Sequence, residues 1–415
     1  MKILHIIAGE LSGGAARGAY WLHQALCDLG VDSTVLTNSR STLGDPSVIS
    51  VAQTSTQKLK HLFIQRLGTL PTKLYRKRKR IIFNTGFEGI DITRHPAYQE
   101  ADIIHLHWIN GLVRMRSLHK IEKPIVWTMR DMWPMTGGCH YSMECDRYTL
   151  GCGQCPQLGS RSTFDLSRLI VSNKRASLPQ HLRAVGISHW LSDCASMSRV
   201  FKEFVVETIS NNVSTNQFFP IKKEYAREML GLRPGQKKIV LVGAHNVTNF
   251  YKGFASFIDA INFLDTDDLY FLIFGDIAAS VMNGLGVEYT SLGFLSDVVS
   301  MRLAYSAADV FVAPSRMDAF GKTLAESMAC GTPVVCFDAS GPKDIVKHKI
   351  TGYKAVPFEA KDLARGIQWV LERSEEDYNL LCKQSRMRVE THFDSCIIAN
   401  QYQELYLRLL DRAER

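Results

Sequence analysis

Two carboxylates with seven residues between them, Asp318 and Glu326, stand in the stretch DVFVAPSRMDAFGKTLAESMACGTPVVC from Asp309 to Cys336. The apolar run Val310–Val312 predicts a buried parallel strand, ended by Pro314 and a polar turn. An amphipathic helix is expected from near Gly321, with Leu324, Ala325 and Met328 inward, closed by Gly331. Thr332–Phe337 reads as the next buried strand. Such a loop lies at the carboxyl end of its strand, where open α/β sheets place ligands. Backbone amides at Gly321, Lys322 and Thr323, with the helix dipole behind them, suit a diphosphate. Carboxylates beside them suit sugar or ribose hydroxyls, which donate hydrogen bonds. The carboxylate pair taken alone also fits any doubly wound domain with an acidic loop.

The whole string, with Phe320-Gly321 and Ala329-Cys330-Gly331-Thr332-Pro333, resembles the Glu-x7-Glu donor motif of retaining GT-B glycosyltransferases of family 4, with Asp318 replacing the first Glu. The resemblance implies an α/β chain of two facing Rossmann-like, doubly wound domains with a central cleft and a C-terminal helix crossing back. It assigns donor binding to Phe320, Gly321, Lys322 and Thr323, with donor-sugar hydroxyls on Asp318 and the ribose on Glu326. It implies a nucleotide-sugar donor, a saccharide or lipid-linked saccharide acceptor and no catalytic metal. No protein nucleophile is expected, because the leaving phosphate itself takes the acceptor proton. The protein's task is then to stabilise charge on that phosphate.

Further groups fit this chemistry. Lys238–Val242 predicts a strand leading to Gly243 and then Lys252-Gly253. Family members commonly carry an Arg just after that glycine and a Lys at the Lys-Gly dipeptide. Lys252 matches, whereas Ala244 stands in the Arg position, so half of the cationic clamp is either missing or supplied elsewhere, with Lys322 a candidate substitute. Leu292-Gly293-Phe294 reads as a strand ending in a turn that cradles the nucleobase, giving Leu292 a donor role.

In the N-terminal half, Lys2–Ala8 predicts a strand and GELSGGAARGAYWL a glycine-rich entry to a helix, where Gly13 and Gly14 allow backbone to approach a ligand. G-x-G-x-x-G is absent, so this is not a dinucleotide fingerprint. The predicted strands Asp102–Trp108 and Pro124–Thr128 end in His105, His107, Arg130 and Asp131, which would converge on one crevice. One histidine is expected to face it. His107 and Asp131 are assigned to the acceptor side, with Arg130 available to a phosphate or carboxylate.

Four of ten cysteines crowd into 17 residues as Cys139-x5-Cys145-x6-Cys152-x2-Cys155. Four thiolates in a compact loop fit tetrahedral zinc; free or paired thiols and an iron–sulfur cluster remain alternatives. A closed four-sulfur site would stabilise the loop (137–157) rather than catalyse. A similar insertion occurs in family members resembling colanic-acid and O-antigen glycosyltransferases, beside the acceptor.

At 415 residues, 46% hydrophobic and 22% charged, the chain predicts a soluble protein of two domains. The expected bounds are 1–218 on the acceptor side, 219–390 on the nucleotide-sugar side and 391–415 crossing back. No apolar run is long enough to span a bilayer, and the N-terminus reads as a strand rather than a signal peptide, so a cytoplasmic location is expected. Net charge is +8, yet the segment from Lys58 to Arg80 alone carries nine Lys/Arg and no acid. Leu59, Leu62, Phe63, Leu67 and Leu70 recur there at helical spacing, with Pro71 as a break. A basic amphipathic segment suits an anionic membrane surface and so a peripheral location. No nucleic-acid fold accompanies the charge, and nucleic acid is not an expected partner.

Overall fold

Short apolar runs bounded by glycine and polar turns become the strands of two parallel sheets. The computed structural model describes all residues except 12, 40–41, 52–58, 60–62, 65, 234, 244–248, 276–283, 285 and 414–415. Ala244, and Lys58, Lys60 and Leu62 of the basic segment, lie outside the described residues.

The first compact unit comprises Met1–Ser210 together with Ile398–Arg415. Its strands are β1 (Lys2–Ile7), β2 (Asp32–Thr37), β3 (Val48–Ser50), β4 (Ile103–Leu106), β5 (Ile125–Met129), β6 (Leu182–Gly186) and β7 (Val206–Thr208). They form a seven-stranded sheet in the order β3-β2-β1-β4-β5-β6-β7, parallel throughout. The order reverses between β1 and β4, the crevice position of a doubly wound sheet. Ile398, Tyr402, Leu405, Tyr406 and Leu409 of the last helix recur every three or four residues. They join a core with Leu22, Leu26, Ile103, Val126 and Val185.

The second unit is Asn211–Ile397. Its strands are β8 (Lys238–Gly243), β9 (Leu269–Phe274), β10 (Tyr289–Ser291), β11 (Val310–Ala313), β12 (Val334–Phe337) and β13 (Gly352–Ala355). The sheet order is β10-β9-β8-β11-β12-β13, again parallel, and reverses between β8 and β11. Val240, Val242, Phe271, Ile273, Val310 and Val312 pack under helices Phe254–Ile261 and Ala360–Leu371.

Three local expectations change. β10 ends at Ser291, so Leu292 follows the strand instead of opening one. Pro71, expected as a break, sits in the first turn of a 3-10 helix, Leu70–Leu74, where its missing N–H costs nothing. His105 and His107 do not divide between faces: residues two apart on a strand share one, and their rings lie 4.0 Å apart, both buried.

Candidate functional site

A close polar arrangement of the second unit sits at its strand-order reversal. β8 runs out toward Lys252 and β11 toward Asp318, so adjacent strands deliver the two side chains to one place. The loops are stitched together, because the Tyr251 carbonyl accepts from the amides of Arg316 at 2.8 Å and Met317 at 3.2 Å. Gly253 makes the approach feasible. Its φ is +67°, and a Cβ there would stand 1.8 Å from the Pro314 carbonyl oxygen. Lys252 Nζ then lies 2.6 Å from Asp318 Oδ2. Burial opposes the ammonium, but the Asp318 carboxylate more than offsets it and raises the Lys252 pKa.

Asp318 is fixed from several sides. Its Oδ1 accepts from the amides of Gly321 at 3.0 Å and Phe320 at 3.3 Å. Its own amide donates to Ser340 Oγ at 3.1 Å, and its carbonyl accepts from the Gly341 amide at 2.9 Å. The Gly321 N–H is therefore committed to Asp318, a correction to its expected role as a phosphate donor. Gly321, at φ +98°, instead caps helix Lys322–Ala329. The start of that helix presents the positive end of its dipole, the end that suits an anion.

Two expected donor residues face inward. Phe320 is buried against Phe393, ring centroids 5.5 Å apart, so a donor reaches it only through backbone. Glu326 is fully buried, and its Oε2 accepts the Tyr305 hydroxyl at 3.0 Å. Gly243 has a packing role: a Cβ there would meet the Phe274 carbonyl oxygen at 2.5 Å. Leu292 donates its amide to the Ile273 carbonyl at 2.8 Å, which leaves its carbonyl and side chain at the strand end.

In the first unit, Gly13 precedes helix Gly14–Asp28, and a Cβ on Gly14 would meet nothing within 4 Å, so backbone is open to an approaching group. Asp131 follows β5 and holds three donors: the Trp133 amide at 2.8 Å, Trp108 Nε1 at 2.9 Å and His140 Nδ1 at 2.7 Å. His140 Nε2 lies 2.7 Å from Asn84 Oδ1. His140 is the residue the sequence reading missed. Its signal was present, since it neighbours Cys139 in the cysteine loop, but eight residues of intervening turn hid its pairing with Asp131.

His107 does not join that group. It is 1% exposed, with Nε2 2.9 Å from His5 Nδ1 and Nδ1 3.3 Å from Arg130 Nη2. Arg130 is buried too, and burial pushes its pKa down to about 10. Neither side chain is presented to a ligand. His5, His105 and His107 are the one set of three potential metal ligands within 4.8 Å among the described residues. Both nitrogens of His105 are already engaged, by Tyr406 Oη at 2.6 Å and Thr128 Oγ1 at 2.7 Å. Burial, then the neighbouring cationic groups, pushes all three imidazoles well below their usual range, so they form a neutral hydrogen-bonded core. Cys139, Cys145, Cys152 and Cys155 are free thiols around one small cavity.

Residues 222–386 match the model of the family described as glycosyl transferases group 1. The chain is 25% identical over 376 residues to the protein named as the colanic acid biosynthesis glycosyl transferase WcaC of Escherichia coli K12, covering 86% of this chain and 88% of that one. It is 28% identical over 210 residues to the Campylobacter jejuni N,N'-diacetylbacillosaminyl-diphospho-undecaprenol alpha-1,3-N-acetylgalactosaminyltransferase, covering 48% and 54%. These similarities indicate a glycosyltransferase. The fold agrees: the Anabaena HepE structure in complex with UDP and glucose superposes with a TM-score of 0.69 at 18% identity, over 98% of this chain and 100% of that one. The span matching the glycosyltransferase family contains Lys252, Asp318, Glu326 and the helix beginning at Lys322, so sequence similarity and site geometry fall on the same unit.

Proposed function

We propose that this chain is a retaining glycosyltransferase of the family 4 type. It takes a sugar from a nucleoside-diphosphate sugar held by the second unit to a saccharide or lipid-linked saccharide acceptor in cell-surface polysaccharide synthesis. The observation that carries the reading is the Lys252–Asp318 pair at the β8/β11 reversal, beside the amide end of helix Lys322–Ala329. Bond cleavage at the anomeric carbon moves negative charge onto the diphosphate. Lys252, with two N–H donors besides the one turned to Asp318, and the positive end of helix Lys322–Ala329 are assigned to take it up. Their positions are set before substrate arrives, which is how such donors stabilise developing charge without reorganisation. Asp318 orients Lys252 and accepts from donor-sugar hydroxyls. The Asp131–His140 pair, buried just past the end of β5, is assigned to the acceptor, with no catalytic metal.

WcaC's colanic-acid name and the undecaprenol-linked substrate in the Campylobacter name support a polysaccharide pathway and a lipid-linked acceptor. HepE's UDP and glucose support a nucleotide-sugar donor. Arg76–Arg80 beside exposed Leu74, Ile81 and Ile82 supports a cytoplasmic enzyme resting on an anionic membrane face. No helix among the described residues is long and apolar enough to cross a membrane. The test is transfer from a panel of nucleotide-sugars to polyprenyl-diphosphate saccharides, with the new linkage read by NMR. A product keeping the donor's anomeric configuration supports the proposal; an inverted linkage, or no transfer to any acceptor, overturns it.

A further inference from the structure

The four cysteines of the first unit enclose a cavity of about 20 Å³, bounded also by Gly137, Ser142 and Ser167. That is space for one small ion or water. Its walls are made by a chain path that ordinary side chains avoid. Gly151, Cys152, Gly153 and Gln154 all have positive φ, at 95°, 60°, 97° and 48°, so Cys152 and Cys155 turn back toward the same point. Two of these four are not glycine, and each such residue costs about 1–2 kcal/mol of backbone strain. A closed metal site is one source of the constraint that holds such a turn.

A second observation is independent of the cysteines. Lys174, on helix Leu166–Ser177, is fully buried. It donates to the carbonyls of Trp133 and Thr136 and lies 3.7 Å from the Trp133 ring centre. Among the described residues it has no ion pair with a carboxylate, and the Thr136 whose carbonyl it bonds donates its own hydroxyl to the Cys139 carbonyl at 2.5 Å. A buried cation without a counter-ion is costly. Four thiolates on a divalent cation carry a net charge of −2, which a neighbouring ammonium partly neutralises.

We propose that Cys139, Cys145, Cys152 and Cys155 bind one zinc ion, with Lys174 as the buried counter-charge of the metal–thiolate centre. Binding expels the four thiol protons to solvent and forms four Zn–S bonds of about 2.3 Å. No three of the four sulfurs are gathered within 4.8 Å among the described residues, so the ion draws them inward. The site is structural, since four sulfurs leave no position for water. It reaches the acceptor-side pair through one peptide bond, Cys139 to His140, and so anchors the histidine that holds Asp131.

The test uses the full chain. Elemental analysis of protein purified under reducing conditions is expected to give one zinc per chain, released as four thiols are titrated with a mercurial. Cobalt replacing the zinc is expected to give the charge-transfer and d–d bands of a tetrahedral four-thiolate centre. The double variant C152S/C155S should lose at least tenfold in cobalt affinity. Lys174→Met should lose about tenfold while keeping the tetrahedral spectrum, and Lys174→Arg should recover part of that loss. Should a cysteine variant fail to fold, cobalt titration of the unaltered chain still decides. A chain that takes up neither zinc nor cobalt, one carrying iron–sulfur absorption, or one whose zinc content survives the double replacement overturns the assignment. Equal cobalt affinity in Lys174→Met removes Lys174 from it.

Discussion

Lys252 Nζ and Asp318 Oδ2 lie 2.6 Å apart, joining the loops that follow β8 and β11 where the strand order of the second unit reverses. A lysine paired this way keeps its charge and its direction, both needed for stabilising a leaving diphosphate. Lys252→Met is expected to lower kcat/KM for sugar transfer roughly 10²–10³-fold, the usual loss for one preorganised charge-stabilising donor. Asp318→Asn keeps an acceptor for the Gly321 amide but removes the counter-charge, so a smaller loss of about tenfold is expected. Steady-state kinetics of the two variants against the unaltered chain checks the order.

Gly253 sets the distance between those loops. Gly253→Ala meets the Pro314 carbonyl oxygen and must hold a left-handed φ, at a strain of about 1–2 kcal/mol before the clash is counted. The melting temperature is expected to fall, and nucleotide affinity to fall with it. A variant with unchanged melting temperature and affinity would show that the loops are not held together here.

His140 is expected to matter to the acceptor and not to the donor. His140→Ala should reduce transfer about 10²-fold, the scale of a positioned acid–base group. Nucleotide binding by calorimetry should stay unchanged. A loss of nucleotide affinity would move this pair out of the acceptor role.

Acid should destabilise the first unit through its buried histidines. His5, His105 and His107 have folded pKa values well below the usual 6.5. The unfolded chain therefore binds more protons than the folded one as pH falls through about 6.5, and stability falls with it. Each histidine that stays neutral in the fold contributes up to about 1.4 kcal/mol per pH unit below that point. Denaturant midpoints measured between pH 7.5 and 5 should decline steadily, and the decline should lessen in His107→Gln. A flat profile contradicts the neutral histidine core.

The parallel sheets and their order of elements were legible because buried parallel strands read as unbroken apolar runs. Val310–Val312 and Lys238–Val242 are observed strands for that reason. The Asp318 loop was legible because Pro314, Gly321 and Gly331 punctuate it. Side-chain direction was not. Glu326 and Phe320 sit on a helix and loop buried all round, where spacing cannot say which face meets solvent. His107 was misread because residues two apart on a strand share a face, and that face is covered by Tyr402 and Tyr406, some three hundred residues away in sequence. The His140–Asp131 pair depended on an irregular loop whose path no periodicity records.

The central claim is that the Lys252–Asp318 corner grips the diphosphate of an activated sugar. Isothermal calorimetry of the full chain with UDP-, GDP-, dTDP-, ADP- and CMP-linked sugars, repeated with Lys252→Met, tests it most directly. The account predicts binding of at least one nucleoside-diphosphate sugar, weakened tenfold or more in the variant. Equal affinity in both proteins, or heat from none of these ligands, would contradict it.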